Sequence, residues 1–103
     1  MAEITLTAEN FQEEVLGSQV PVLVDFWATW CGPCQMRGPV VEELANQSDG
    51  SYKVGKVNVD EQGELAQKYG IMSIPAFYVF KDGNIRASTI GAQSKDALLA
   101  LLK

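Results

Sequence analysis

Val20-Pro21-Val22-Leu23-Val24-Asp25-Phe26-Trp27-Ala28-Thr29-Trp30-Cys31-Gly32-Pro33-Cys34 is the stretch from which the rest of the chain can be read. From Val20 to Trp27 it is rich in Val, Leu and aromatics, with apolar residues on both faces. That is the pattern of a strand covered on both sides in a parallel sheet, and such a strand belongs at the sheet centre. It leads straight into a Cys-x-x-Cys pair, beyond which Met36, Val40, Val41 and Leu44 recur at helical spacing. A buried strand that opens a helix at two cysteines indicates both an α/β fold and a candidate chemistry.

On the amino-terminal side, Ile4 and Leu6 alternate with polar neighbours as a short strand. Thr7 then offers a hydroxyl to cap a helix carrying Phe11, Val15 and Leu16, which Gly17 ends. On the other side, the helix after the cysteines contains Pro39, which should kink it, and closes in the polar turn Asn46 to Gly50. Lys53 to Val59 reads as a third strand, and Asp60 can cap a short helix through Leu65, Ala66 and Tyr69 that stops at Gly70. Ala76 to Phe80 and Ile85 to Ile90 are strands joined through Asp82-Gly83, a hairpin signal that makes them antiparallel neighbours. Ser94 caps a closing helix with Ala97, Leu98, Leu101 and Leu102 on its apolar face. The expected architecture is an α/β sandwich, a central mixed sheet flanked by helices on both faces. Residues 1–103 form a single domain in this reading, because two cores would leave each half too small to be stable.

Bulk properties remove several functions. The chain is 47% hydrophobic and 20% charged, a balance that supports a folded core rather than disorder. A net charge of −5 with no basic cluster repels phosphates, so nucleic acid is not an expected ligand. The apolar run from Val20 to Trp30 is broken by Asp25 and falls short of the roughly 20 residues that span a bilayer, so no membrane association is expected. Met1-Ala2-Glu3-Ile4-Thr5 lacks the positive start and apolar stretch of a secretory signal, and a cytoplasmic or similarly reducing compartment is expected. No histidine is present, which excludes Ser-His-Asp and Cys-His catalysis and every His-containing metal site. A zinc site on Cys31 and Cys34 would need two further ligands from Asp, Glu or a second chain, and neither metal nor cofactor is expected.

The chemistry therefore centres on the cysteines. Cys31 would lie at a helix amino terminus, where free N–H groups and the helix dipole favour a thiolate, the nucleophile of disulfide exchange. Cys34, one turn along, would be more buried and placed to attack Cys31 once that sulfur is bonded to a substrate. Gly32 leaves room for another chain to approach, and Pro33 fixes φ where a first-turn N–H has no helical partner. A static disulfide is the alternative, but so short a ring removes little chain entropy and a reducing compartment would open it. Asp25 is either a buried acid whose raised pKa lets it accept a thiol proton, or a solvated acid at a strand end. The residues alone leave both open.

Four landmarks in order resemble the thioredoxin family across essentially the whole chain. They are Asp25-Phe26-Trp27-Ala28, Trp30-Cys31-Gly32-Pro33-Cys34, Ile74-Pro75 and Gly91-Ala92. The resemblance implies reduction of protein disulfides, with Cys31 attacking and Cys34 resolving, and electrons returning from an NADPH- or ferredoxin-dependent reductase to a monomeric protein. It also implies that Asp25 is a functional buried acid and that Lys56 on the neighbouring strand is its charge partner. Trp30, Gly32, Pro33, Ile74, a cis Pro75, Gly91 and Ala92 would then form the surface where disulfide-containing targets dock, Ile74 offering backbone groups to an extended segment. Trp27 would pack beneath the site. Gln35, Arg37-Gly38 and Met72-Ser73 depart from the commonest family pattern and alter the rim of that surface. Two rivals are a redox-independent assembly subunit using the same surface, which the retained cysteines oppose, and an oxidase or isomerase. The latter usually carries an export signal and a more polar residue in place of Pro33.

Overall fold

Val22 to Trp27 contains no glycine or proline and is dominated by β-branched and aromatic residues, so the backbone extends as soon as Pro21 is passed. In the computed structural model, which describes residues 1–103, it forms β2 (Val22–Trp27) of a five-stranded sheet. The other strands are β1 (Ile4–Thr5), β3 (Lys53–Asn58), β4 (Ala76–Lys81) and β5 (Asn84–Ile90), in the order β1-β3-β2-β4-β5. β2 runs parallel to β3 and antiparallel to β4, and is thus the central strand of a mixed sheet. The β4–β5 hairpin turns on Asp82 (φ 54°) and Gly83 (φ 79°), the two left-handed residues that match strand twist in a tight turn. At β3, Gly55 lets the amino-terminal segment come close, since a Cβ there would lie 2.5 Å from Leu6 Cδ1.

Alternate side chains of β2 enter two cores. Val22, Val24 and Phe26 join Leu6, Phe11, Val15 and Phe80 on one face, covered by the amino-terminal turn and by α2 (Gly63–Lys68) through Leu65. Leu23 joins Val41, Leu44, Phe77, Val79 and Leu98 on the other, under α1 (Gly32–Gln47) and α3 (Lys95–Leu102). Asp25 and Trp27 follow Leu23 in the period-2 alternation and therefore face α1. Helices cover both faces, as the sequence pattern indicates. No helix is long and apolar enough to cross a membrane.

Three local expectations give way. The segment after Thr7 is a five-residue π turn, Gln12–Leu16, in place of a regular α-helix, closed by a bond from Gly17 N to Gln12 O at 2.8 Å. So short a segment has little helical stability of its own, and its shape follows the burial of Phe11 and Val15. Thr7 does not cap it: the N-cap position falls on Phe11, without a side-chain bond, and Thr7 Oγ1 accepts from Asn10 N at 3.3 Å in the preceding turn while Asn10 Oδ1 accepts from Thr7 N at 2.7 Å. Met36 is exposed, because the inner face of α1 is set by Cys34, Val41, Leu44 and Ala45, and a residue two positions after Cys34 points away from it. Asp60 does not cap α2; the carboxylate is taken by another partner, and Asn58 Oδ1 accepts from Asp60 N and Glu61 N instead.

Candidate active site

The carboxyl end of β2 delivers the chain to the amino terminus of α1, and Cys31 is the N-cap residue of that helix. Its backbone is extended (φ −88°, ψ 108°), which turns the sulfur back over the first turn, where Cys34 N donates to Cys31 Sγ at 3.2 Å. Pro33 in that turn withdraws no needed donor. Cys31 and Cys34 form a disulfide with their Cα atoms 5.2 Å apart. In the reduced protein the same amide and helix end favour a thiolate at Cys31.

The two cysteines are almost equally covered, at 5% and 4% exposure, so the expectation that Cys34 is clearly the more buried is not met. Both pack with Ala28 against Trp27, Val59 and Ile74, and what separates them is their surroundings. Cys31 lies beside the loop before β4, its sulfur 3.9 Å from the Ile74 carbonyl oxygen, and its neighbours Trp30, Gly32 and Pro33 are exposed. A Cβ at Gly32 would meet nothing within 4 Å, so the space over the motif is open to another chain. Cys34 faces inward, into a pocket of about 300 Å³ that Asp25, Trp27, Glu3, Glu42 and Lys56 also line.

Ile74-Pro75 is cis and leads into β4. Gly91, with φ +94°, donates its N–H to the Pro75 carbonyl at 2.7 Å, which joins the loop after β5 to the loop before β4. Cys31, Ile74, Pro75 and Gly91 are thereby brought together; Ala92 is exposed beside them. Trp30 is 70% exposed yet fixed, its indole N–H donating to Asp60 Oδ2 at 2.8 Å. Asp60 lies two residues before Gln62, the N-cap residue of α2, and so is not at the cap position. Met72 is 95% exposed and widens the apolar rim.

Asp25 is buried at 5% exposure and its Oδ1 has no hydrogen-bond partner. The buried alternative for this residue is therefore the one the fold adopts. Burial pushes its carboxyl up to about 7; the charge of Glu3 adds to the rise and that of Lys56 opposes it. Lys56 stands opposite Asp25 in the β2–β3 register, but the expected direct ion pair is not formed. Its ammonium lies 3.7 Å from Glu3 Oε1 and 5.3 Å from the centre of the Trp27 ring. Glu3 and Asp60 were not legible as site residues: each is an acid near a strand end, with no spacing signal to set it apart from a solvated one.

Comparison with known proteins bears directly on this arrangement. The family model described as Thioredoxin matches residues 2–103. The chain is 46% identical to the thioredoxin of Pseudomonas aeruginosa over 99 residues, covering 96% of this chain and 92% of that one. It is 50% identical over 102 residues to thioredoxin 1 of Nostoc sp., covering 99% and 95%, and 52% identical over 93 residues to thioredoxin 1 of Synechococcus elongatus, covering 90% and 87%. With a cysteine pair at disulfide distance on a helix end, and with these likenesses over nearly its whole length, the chain belongs to the thioredoxin family of dithiol–disulfide reductases, which act on disulfide-containing substrates and are typically recharged by a reductase.

Proposed function

We propose that Cys31 is the attacking thiolate, Cys34 the resolving thiol and Asp25 the group that receives the Cys34 proton. Reduced protein meets a target disulfide across Trp30, Ile74 and Gly91, with Pro75 buried beneath them. The Cys31 thiolate attacks one target sulfur, forming a mixed disulfide and expelling the other as a thiolate, which takes a proton from solvent. Cys34 then gives its proton to Asp25 and attacks Cys31 Sγ. The target's remaining sulfur leaves as a second thiolate and is protonated, so two electrons have passed to the target and the Cys31–Cys34 disulfide has formed. An NADPH- or ferredoxin-dependent reductase reverses the last state in a reducing compartment such as the cytoplasm, and the protein acts as a monomer.

The observation that carries the division of roles is the asymmetry of surroundings. The sulfur of Cys31 sits at the N-cap among exposed residues, whereas Cys34 shares a pocket with a buried acid. An acid pushed up to about 7 is matched to proton exchange near neutrality. The experiment divides the two sulfurs. Cys31→Ser should abolish disulfide reduction, and Cys34→Ser should attack and then stall as a covalent mixed disulfide that only an added thiol releases. An assembly subunit would behave differently, since Cys31→Ser would hold its partners as well as the parent and salt or denaturant would elute them. Trapping by Cys31→Ser and not by Cys34→Ser would reverse the assignment.

A further inference from the structure

Three charged groups from different elements share the pocket of the Asp25 carboxyl. Lys56 lies directly across from it on β3, Glu3 comes from the segment leading into β1, and Glu42 reaches the same pocket from α1. Phe77, opposite Asp25 on β4, brings no charge. Cys34, the remaining neighbour from α1, does not titrate while it is in the disulfide. Adjacent strands are about 4.8 Å apart, and the flexible four-carbon stem of lysine can easily span that gap, so contact with Asp25 is the arrangement that register alone would favour. The ammonium is instead held between the Glu3 carboxylate and the Trp27 ring, and Asp25 Oδ1 is left without a partner. The Glu3 side chain is 12% exposed and that of Lys56 36%, so the pair is half-buried and salt should weaken it only in part.

We propose that Glu3 is a positioning residue: by binding the Lys56 ammonium it keeps that charge off Asp25, and so sets the pH at which Asp25 changes its charge. Glu3 acts in two ways of the same sign. It ties up the one cation in the pocket, and it adds a negative charge of its own; each favours the protonated acid. Glu42 adds another negative charge to the pocket, and burial holds the Glu3 carboxyl itself above its ordinary value. The consequence for catalysis rests on the reading of Asp25 as the proton acceptor for Cys34. With Glu3 in place the acid titrates near neutrality, where it can both take and return a proton.

The test is the titration of Asp25 in the oxidised protein, followed by its carboxyl carbon NMR signal, so that no thiol contributes. Glu3→Gln should lower the midpoint by about one pH unit, since it frees Lys56 and removes a like charge. Lys56→Met should raise it. In the Lys56→Met background, Glu3→Gln should produce less than half of its shift in the parent, because only its own charge is then removed. A midpoint that stays within roughly 0.3 unit of the parent, or rises, overturns the proposal. So does a shift of undiminished size without Lys56, which would leave Glu3 a bare charge and not a positioning residue. The pH profile of disulfide reduction by the Glu3→Gln protein keeps the two readings apart. A shifted Asp25 titration with an unshifted profile supports the role of Glu3 and removes Asp25 from the proton transfer.

Discussion

Asp25 interrupts a strand that is otherwise apolar, and the cost of that choice depends on pH. An acid whose folded pKa exceeds its unfolded one keeps its proton in the native state and loses it on unfolding over the interval between the two values. Over that interval the unfolded state binds fewer protons, so stability falls as pH rises. For Asp25 the interval runs from 3.8 to about 7. The cost is absent below the lower value and complete above the upper, where it amounts to at most about 4 kcal/mol. Asp25→Asn keeps the shape and removes the charge, so it should stabilise the fold above about pH 7 and flatten the dependence below it. Urea midpoints measured across that range would check this, and parallel curves for the two proteins would contradict a buried, proton-holding Asp25. The same variant should reduce disulfides more slowly at neutral pH, a loss of function that accompanies a gain in stability. Retention of a destabilising acid beside Cys34 then has a reason in the reaction.

At the scale of elements, α3 offers the plainest case of sequence dictating structure. Ser94 Oγ accepts from Ala97 N at 3.1 Å, and the helix that follows is eight residues, too short to persist without its cap and its packed face. Ser94→Ala should cost about 1 kcal/mol, read as a fall in Tm of roughly 4 to 8 °C, with the rate of disulfide reduction unchanged because α3 lies away from the cysteines. A variant that lost activity in proportion would tie α3 to the site. Ser94, the Asp82-Gly83 turn and the doubly apolar β2 were all legible because a single local rule decides each. The amino-terminal turn was not, since its hydrogen bonding follows tertiary burial of Phe11 and Val15. Asp60 departs from its expected role because α2 begins only at Gly63, with Gln62 at the N-cap, and its carboxylate instead binds a tryptophan thirty residues earlier in the chain, a contact no local rule announces. The Cys31-to-Cys34 motif was readable as chemistry; the Lys56–Glu3 pair was not, because it depends on which of two acids a flexible lysine reaches across the sheet.

Across the whole molecule, charge and size together govern how a target approaches. The chain carries 13 acidic and 8 basic side chains, for a net charge of −5. Its extents are 31 × 27 × 21 Å. The Debye length is about 30 Å at 0.01 M salt and about 3 Å at 1 M. At the lower concentration an arriving peptide therefore feels the field of the entire molecule, and at the higher only the groups it touches. On the proposed docking rim Trp30, Gln35, Gly38, Met72, Ser73 and Ile74 carry no charge, and the two charged residues, Arg37 and Asp60 beside Trp30, are of opposite sign. A cationic disulfide peptide should consequently be reduced faster at low salt than at high, by up to about 10-fold, and an anionic one more slowly. A neutral peptide of the same disulfide serves as the reference, because salt also acts on the thiolate itself and that effect is common to all three. Stopped-flow tryptophan fluorescence during single-turnover reduction, with Trp27 and Trp30 as reporters beside the disulfide, would give the rates. Three peptides with the same salt dependence would show that the acidic surface plays no part in the encounter, and that contacts at the rim alone select the target.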